Sequence, residues 1–262
     1  MPRSSFYYQL KRMDKPDKYT RIKEVMMEVY HRHKGRYGYR RITLELRNRG
    51  YRINHKVIYR LMDKCGLKSR VRPRKYSSYK GESSKSVPNL LARNFQAGAP
   101  NRKWATDVTE FSLFGNKLYL SPIIDLYNGE IISYSIAHRA TFDQTMQMID
   151  RAFEKITQVE DLILHSDQGW QYQMNRYRHR LKEKGIKQSM SRKGTPLDNA
   201  VIESFFGTLK SELLYLQKFD SLQHFKSELE KYIEYYNKER IKTKLNGLSP
   251  VKYRLKSMNK NR

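Results

Sequence analysis

Apolar residues recur at helical spacing in the first third of the chain and predict three short amphipathic helices. The first spans about 18–33 and is followed by Gly35. The second ends before Gly50, and Asn54 is placed to cap the third. The apolar positions that set the period are Ile22, Val25, Met26, Val29, Tyr30, Tyr39, Ile42, Leu46, Ile58, Leu61, Met62 and Cys65. Three helices of this length predict a small helix-turn-helix-like module over 17–67.

From Trp104 the period changes to that of strands. Asn128-Gly129 is a strong signal for a two-residue hairpin turn, so the strands on either side are expected to be antiparallel. Pro122 has no N–H to donate, and a bulge or an outward-facing position is expected there. The three predicted strands span 104–113, 117–127 and 130–137.

The remainder of the chain alternates helices with short buried strands. A helix around 146–153 precedes a strand at 162–164, a helix at 171–184, a brief strand at 187–190, two long helices and a basic tail. The order β-β-β-α-β-α-β-α predicts an α/β fold of the ribonuclease H-like type, a mixed five-stranded sheet with flanking helices, preceded by the small all-α module.

Composition narrows the environment in which the protein is expected to work. Cys65 is the single cysteine among 262 residues, which excludes a disulfide framework or a cysteine-based zinc site within one chain and fits a reducing cytoplasm. No signal peptide is recognisable, and the apolar runs are shorter than the ~20 residues that a membrane span needs. A cytoplasmic protein without a membrane partner is expected.

The formal net charge of +27 is unevenly distributed along the chain. Residues 1–80 hold 24 basic and 6 acidic side chains, whereas residues 104–219 hold 14 of each. Basic flanks around a neutral centre favour a polyanionic partner, and nucleic acid is preferred over a membrane surface or ribosomal packing. The expected partner is double-stranded DNA. The predicted organisation is an N-terminal arm at 1–16, the helical module at 17–67, a basic linker at 68–100 and a catalytic core with C-terminal helices at 101–262.

A basic ridge on the helical module supplies candidate DNA contacts. Lys56, Arg60 and Lys64 line one side of the third helix, and Arg40 and Arg41 open the second. The alternative is a solvated face, which is what most charge stripes are. The charge of the surrounding residues favours DNA. His31 and His33 are expected at the surface.

Three carboxylates have a joint placement that favours a catalytic site. Asp107 lies in the first strand and Asp167 just past the fourth, while Glu203 follows Asp167 after 35 intervening residues on a helix for which Asp198 is the expected N-cap. Three hard oxygen ligands suit Mg²⁺ or Mn²⁺, and two such ions can organise phosphodiester chemistry. Taken singly, each residue is better explained as a turn, cap or solvated residue.

Neighbouring polar residues leave alternatives open. His165 and Gln168 either touch substrate or hold the Asp167 loop, and Asn199 is a further candidate substrate contact beside Glu203. Asp125 is either a fourth carboxylate of the site or a hairpin residue.

The chain resembles a known family over nearly its whole length. Four segments carry the resemblance: 104–109 (WATDVT), 165–169 (HSDQG), 198–206 (DNAVIESFF) and 236–240 (YNKER). They resemble the DDE transposases of bacterial insertion sequences, in particular the OrfB product of the IS-three family, whose catalytic core is similar to that of retroviral integrases. One cysteine cannot build the zinc module of those integrases, so the helical module is expected to hold DNA without zinc.

The resemblance implies roles for particular residues. Asp107, Asp167 and Glu203 would form the metal-binding triad, and Lys210 would contact the element end. The implied chemistry is nicking at that end, then attack of the freed 3′-hydroxyl on a second phosphodiester. The implied partners are OrfA, or an OrfA–OrfB fusion, and further copies of the chain on DNA at the nucleoid. A non-catalytic DNA-binding or regulatory product, or a ribonuclease H-like nuclease that does not join strands, remains the alternative.

Overall fold

The computed structural model shows the chain as two compact units, Met1–Val71 and Arg72–Arg262. The structure describes residues 2–4, 7, 17–70, 87–156 and 161–260. Most of the predicted N-terminal arm, and the part of the predicted linker from 71 to 86, lie outside the described residues.

The N-terminal unit contains the three helices that the apolar spacing predicts. They are α1 (Thr20–Arg32), α2 (Tyr39–Asn48) and α3 (His55–Lys64). Asn54 caps α3 as expected, because its side chain accepts a 2.8 Å hydrogen bond from the backbone N–H of Lys56. The helices bury one face each, formed by Val25, Met26, Val29, Ile42, Leu46, Ile58, Leu61 and Met62. The helix-turn-helix-like module is therefore confirmed.

The expectation that His33 lies at the surface is wrong. Its side chain is buried, and its ring stacks on Tyr37 with 3.9 Å between the ring centroids. Burial, followed by the positive charge of nearby arginines, lowers the pKa of His33 to about 4. The neutral imidazole acts as a core aromatic residue where the chain leaves α1 and turns through Gly35, whose φ is +72°.

The second unit is built on a mixed sheet of six strands. They are β1 (Lys103–Thr106), β2 (Thr109–Leu113), β3 (Asn116–Asp125), β4 (Ile131–Ala137), β5 (Ile163–Ser166) and β6 (Lys187–Met190). The order is β2-β3-β1-β5-β6, with β4 paired to β3. β1, β5 and β6 run parallel to one another, and the β3 pairings are antiparallel. The ribonuclease H-like α/β class is confirmed, with one strand more than expected.

The additional strand arises because the first predicted strand is interrupted at 107–108. Its register against β3 does not change across the interruption, since Thr106 lies opposite Ile123 and Thr109 opposite Leu120. β1 and β2 are thus two parts of one extended segment. The break falls where the sequence places the first candidate carboxylate.

The irregularity expected at Pro122 lies one position further along β3. Pro122 keeps its place opposite Tyr134, and the register shifts between Ile123 and Ile124, where β4 contributes an extra residue. The bulge is therefore adjacent to the proline and is formed by the partner strand.

Helices cover both faces of the sheet. They are α4 (Phe142–Phe153), α5 (Trp170–Gln173), α6 (Asn175–Glu183), α7 (Ala200–Leu209), α8 (Leu222–Lys238) and α9 (Pro250–Lys260). One core cluster joins the sheet to α7 and α8, and another joins it to α4, α5 and α6. The helix predicted at 171–184 is two helices separated at Met174, and the expected basic tail is the helix α9. None of the described helices is long and apolar enough to cross a membrane.

Asp125 belongs to the architecture of the hairpin. Its buried carboxylate accepts hydrogen bonds from the backbone N–H groups of Asn101 and Tyr127 and forms an ion pair with Arg254 of α9. These contacts fix the β3–β4 turn to the C-terminal helix.

Candidate active site

Strand register brings two of the candidate carboxylates together. In the parallel pair β1 and β5, Ala105 lies opposite His165. Asp107 and Asp167 each follow two residues later, beyond the ends of these neighbouring strands. Because adjacent strands lie about 4.8 Å apart, the two carboxylates stand side by side at the C-terminal edge of the sheet.

The helix α7 brings the third carboxylate to the same place. Ala105 packs in the core cluster that contains Ile202 and Phe205 of α7. Side chains alternate along a strand, so Asp107 is directed to that face of the sheet. Glu203 lies in the first turn of α7, and its negative charge contributes to the raised pKa of Asp107.

Each aspartate has one oxygen held by the backbone. Oδ1 of Asp107 accepts the N–H of Val108 at 2.7 Å, and Oδ1 of Asp167 accepts the N–H of Gly169 at 2.9 Å. Across the described ranges, the second oxygen of each carboxylate has no hydrogen-bond donor, and neither residue forms an ion pair with a basic side chain. One acceptor atom of each group is left for a ligand.

Burial and mutual repulsion disfavour the ionised forms of this pair. Burial raises the pKa of Asp107 to about 7, with further contributions from the charges of Asp167 and Glu203. Burial also raises the pKa of Asp167. A shift of this size makes ionisation of Asp107 less favourable than that of a solvent-exposed aspartate by on the order of 4 kcal/mol. A bound cation would offset that cost.

The donor set fits a divalent cation, although the site is not preassembled. Carboxylate oxygens without sulfur or imidazole nitrogen are the ligands that Mg²⁺ and Mn²⁺ prefer. In the part of the chain that the structure describes, no three histidine, cysteine, aspartate or glutamate side chains stand close enough to hold an ion as they are. The chemistry of the site thus matches a hard cation, and binding would require the carboxylates to approach one another.

Gly169 leaves the space in which the Asp167 carboxylate sits. A Cβ at this position would lie 2.9 Å from Oδ1 of Asp167 and 2.7 Å from Nε2 of Gln171, closer than side chains normally approach. The glycine therefore allows its own N–H to hold the carboxylate at close range.

His165 and Gln168 have structural contacts. His165 is fully buried, its Nδ1 lies 2.8 Å from Oγ of Ser189 on β6, and burial lowers its pKa to about 4. Nε2 of Gln168 donates to the carbonyl oxygen of Ser191 at 3.0 Å. The geometry favours a role in holding the Asp167 loop against the end of β6 over contact with substrate.

Asp198 does not cap the helix that carries Glu203, as the sequence suggested. The N-cap is Asn199, and Asp198 is buried one residue earlier, in a 3₁₀ turn. Its carboxylate accepts from Nε of Arg192 at 2.8 Å and from Nε of Arg93 at 2.9 Å. Nδ2 of Asn199 lies 3.5 Å from the carbonyl oxygen of Thr106, the residue before Asp107. These contacts fix the start of α7 beside the end of β1.

A buried ion pair fixes the other end of this helix. Lys210 begins a π-helical turn, Lys210–Leu214, and its Nζ lies 5.7 Å from the ring centroid of Phe111. Within that turn Glu212 accepts two hydrogen bonds from Arg240, at 2.7 and 2.8 Å, and one from the hydroxyl of Tyr232 at 3.0 Å. Lys210 thus directly follows the last residue of α7, the helix that carries Glu203.

In the N-terminal unit, the five candidate DNA contacts differ in their exposure to solvent. Four are exposed, and Arg41 is half-buried with its guanidinium 5.5 Å from the ring centroid of Tyr37. The four exposed residues are Arg40, Lys56, Arg60 and Lys64.

Sequence reasoning did not recognise several residues that support the site. Gly169 lies in the same sequence motif as Asp167, and this proximity is the signal that could have identified it as a residue of the site. Arg192 and Asp198 are six residues apart across a turn, a spacing that permits an ion pair without indicating one. Nothing in the sequence links Arg240 to Glu212, because they meet only when α8 folds back.

Comparisons with known proteins agree with the geometry. Residues 97–196 and 203–258 match family models described as integrase core domain, and residues 18–76 match one described as HTH-like domain. The catalytic core of the HTLV-2 integrase, solved with magnesium, shares the fold with a TM-score of 0.50 at 20% identity, over 60% of this chain and 98% of that one. The class is the DDE superfamily of transposases and integrases.

Similar proteins in bacteria define the family more narrowly. The putative transposase InsK of the element IS150 from Escherichia coli K12 is 55% identical over 97% of this chain and 90% of its own length. The transposase of IS904 from Lactococcus lactis is 38% identical over 90% and 96%, and InsF of IS3A from E. coli K12 is 35% identical over 89% and 82%. The chain belongs to the IS-three family of insertion-sequence transposases.

We predict that Gly169→Ala lowers DNA cleavage by about 10²-fold, because its Cβ displaces the Asp167 carboxylate by a fraction of an ångström or more. The measurement is the cleavage rate of a labelled element-end duplex, together with the melting temperature. Gly98→Ala is the matched control, since a Cβ there meets nothing within 4 Å. Equal cleavage by the two variants would contradict the role given to Gly169.

Proposed function

We propose that the protein nicks the 3′ end of an insertion sequence and joins that end to a second duplex, with two Mg²⁺ or Mn²⁺ ions as cofactors. The observation that carries the proposal is the pair of carboxylates at the ends of β1 and β5, which have acceptor oxygens and no basic partner in the described ranges. The conformation of the sheet fixes this pair independently of any ligand.

Asp107, Asp167 and Glu203 would hold the ions. When bound, such ions activate the attacking oxygen and stabilise the leaving oxygen of an in-line displacement at phosphorus. The three carboxylates need no role as general bases, and the neutral His165 is buried against β6. The protein's own contribution is to orient the phosphodiester and to fix the ligands at the C-terminal edge of the sheet.

Both proposed steps exchange one phosphodiester bond for another bond to phosphorus. In nicking, water attacks the phosphorus atom, the bond to the 3′-oxygen breaks, and that oxygen leaves as the 3′-hydroxyl of the element. In joining, this hydroxyl attacks a phosphorus atom of the second duplex and displaces its 3′-oxygen, which takes up the proton. No covalent link to the protein is required.

The basic residues outside the core would supply DNA affinity. The segment that carries the triad is electrically balanced, with 14 basic and 14 acidic residues over 104–219. Lys210 is the proposed contact to the element end, and the exposed residues of α2 and α3 are proposed contacts to duplex phosphates. An OrfA fusion and further copies of the chain on DNA are proposed partners, and DNA binding would place the protein at the nucleoid.

We predict that Asp107→Asn, Asp167→Asn and Glu203→Gln each reduce Mg²⁺-dependent cleavage at least 10³-fold while leaving DNA binding within about twofold, because each removes a cation ligand and no core contact. Cleavage is measured on a labelled element-end duplex and binding by a gel-shift titration. Glu110→Gln is the matched control, since this exposed glutamate lies on β2 and contacts Tyr119 and Lys117.

The same assay separates the proposed activity from its alternatives. Transfer of the labelled 3′-hydroxyl end to a second duplex supports the transposase, and cleavage without joining supports a nuclease. Because the family implies an OrfA partner, the chain is assayed alone and as an OrfA fusion. Normal cleavage by any triad variant would remove that residue from the site, and inactivity of both protein forms would support a non-catalytic role.

We predict that Lys56→Ala combined with Arg60→Ala weakens duplex binding. The plot of log K against log salt has a negative slope, and its magnitude is expected to decrease by about 2, since each phosphate contact contributes roughly 0.9. The control is Arg21→Ala with Lys23→Ala in α1, which removes the same charge from residues paired with Glu24 and Asp17. Equal slopes for the two double variants would contradict a specific DNA-binding role for α3.

A further inference from the structure

An exposed tryptophan next to the carboxylates has no role in the proposed chemistry. The chain has two tryptophans, of which Trp104 of β1 is fully buried, whereas Trp170 has a fractional exposure of 54%. Within the residues that the structure describes, no aromatic ring or cationic side chain packs against the indole of Trp170. Tryptophan side chains are highly buried on average, so an aromatic face left in solvent at this place is available to a ligand.

The backbone fixes Trp170 close to the Asp167 carboxylate. The N–H of Gly169 donates to Oδ1 of Asp167 at 2.9 Å, and Trp170 is the next residue. Standard backbone dimensions therefore place the Cα atom of Trp170 within about 8 Å of that oxygen. Along α5, Trp170 is directed about 160° away from Tyr172, whose side chain fills the core. The indole thus extends into solvent from the edge of the sheet that carries the carboxylates.

The segment that follows Trp170 is basic, although the core as a whole is electrically balanced. Residues 175–184 hold five basic side chains and one acidic side chain. Two of the arginines of α6 form ion pairs with aspartates of α4. Arg178 and Lys182 lie one turn apart on α6, are exposed, and form no ion pair with any described residue. A basic surface beside an exposed aromatic ring favours a nucleic acid as the ligand over an apolar protein surface.

Base stacking is the contact that an exposed indole offers to DNA. Stacking of one base on an aromatic side chain contributes roughly 5- to 150-fold in affinity, and every base has a face that can stack. Inside an intact duplex both faces of a base are covered by its neighbours, so the base must first leave the duplex stack. Successive bases of one strand lie about 3.4 Å apart along the duplex axis. A base within reach of Trp170 therefore lies within about three nucleotides of a phosphodiester at Asp167.

We propose that Trp170 stacks on an unpaired base of the strand to be cut, within about three nucleotides of the scissile phosphodiester. The inference rests on the proposed function, because it assumes that this phosphodiester lies at the carboxylates. Trp170 takes no part in breaking or forming the bond to phosphorus. Its role is to hold one nucleotide of the strand beside the site, so its loss weakens DNA binding.

The test combines protein variants with altered DNA and measures Kd by gel-shift titration of the full chain without divalent metal, so that the DNA stays intact. The probe is an element-end duplex left unpaired for three nucleotides on each side of the cut, which removes the cost of unpairing. Trp170→Ala is expected to raise its Kd about fivefold or more. An abasic site at one of the six unpaired positions of the cut strand is expected to raise the wild-type Kd equally. Trp170→Ala is expected to cause no further loss on that abasic duplex.

Three further variants separate stacking from other effects. Trp170→Phe keeps an aromatic face and is expected to retain most of the affinity, whereas Trp170→Leu is expected to lose as much as Trp170→Ala. Phe114→Ala is the matched control, because Phe114 also has a fractional exposure of 54% and lies past the end of β2 that is remote from Asp107. This variant is expected to bind as the wild type does. All four variants are expected to keep the wild-type melting temperature, since both side chains are exposed.

The outcomes separate this proposal from the proposed function. A wild-type Kd in Trp170→Ala overturns the role of Trp170, and the triad variants still decide the proposed function. Losses from Trp170→Ala that are the same on every abasic duplex show a contact without a stacked base and also overturn it. A change in self-association without a change in DNA binding would make the indole a protein contact instead. If the wild-type protein binds no element-end duplex, both proposals fail.

Discussion

The parallel pairing of β1 with β5 places two carboxylates side by side, and no basic side chain in the described ranges neutralises them. Backbone hydrogen bonds from Val108 and Gly169 fix one oxygen of each. Burial makes ionisation costly, as the raised pKa of Asp107 shows. Because the two carboxylates are only partly stabilised, their repulsion lowers the stability of the fold unless a ligand offsets it. Destabilised residue pairs of this kind are characteristic of functional sites.

The remaining contacts of the core hold α7 relative to this pair. At one end of the helix, the Asp198 carboxylate accepts hydrogen bonds from two arginines, and the side chain of Asn199 contacts the backbone of β1. The buried pair of Glu212 and Arg240 fixes the π-helical turn at the other end. Buried ion pairs contribute little net stability, but breaking one costs several kcal/mol, so they specify a single geometry. Together these contacts fix both ends of the helix that carries Glu203.

Local patterns in the sequence predict much of this structure. Apolar periodicity predicted the helices of the N-terminal unit, the strands around Asn128-Gly129 and the position of Asp167 just past a strand. Asp107 was expected inside the first strand, and the structure instead interrupts the strand at this residue. Other features depend on contacts between distant segments. The burial of His33, the ion pairs of Asp198 and the link from Glu212 to Arg240 are fixed by tertiary packing, which periodicity does not encode. The roles of the triad stay a prediction.

The central claim is that the carboxylates of Asp107 and Asp167 bind divalent cations. Its most direct test is a crystal structure of the full chain soaked in Mn²⁺ and measured at the manganese absorption edge. We expect an anomalous peak within about 2.0–2.3 Å of oxygens from both residues, as Mg²⁺-type sites require. An anomalous map with no peak between these two carboxylates, at Mn²⁺ concentrations that support cleavage, would contradict it.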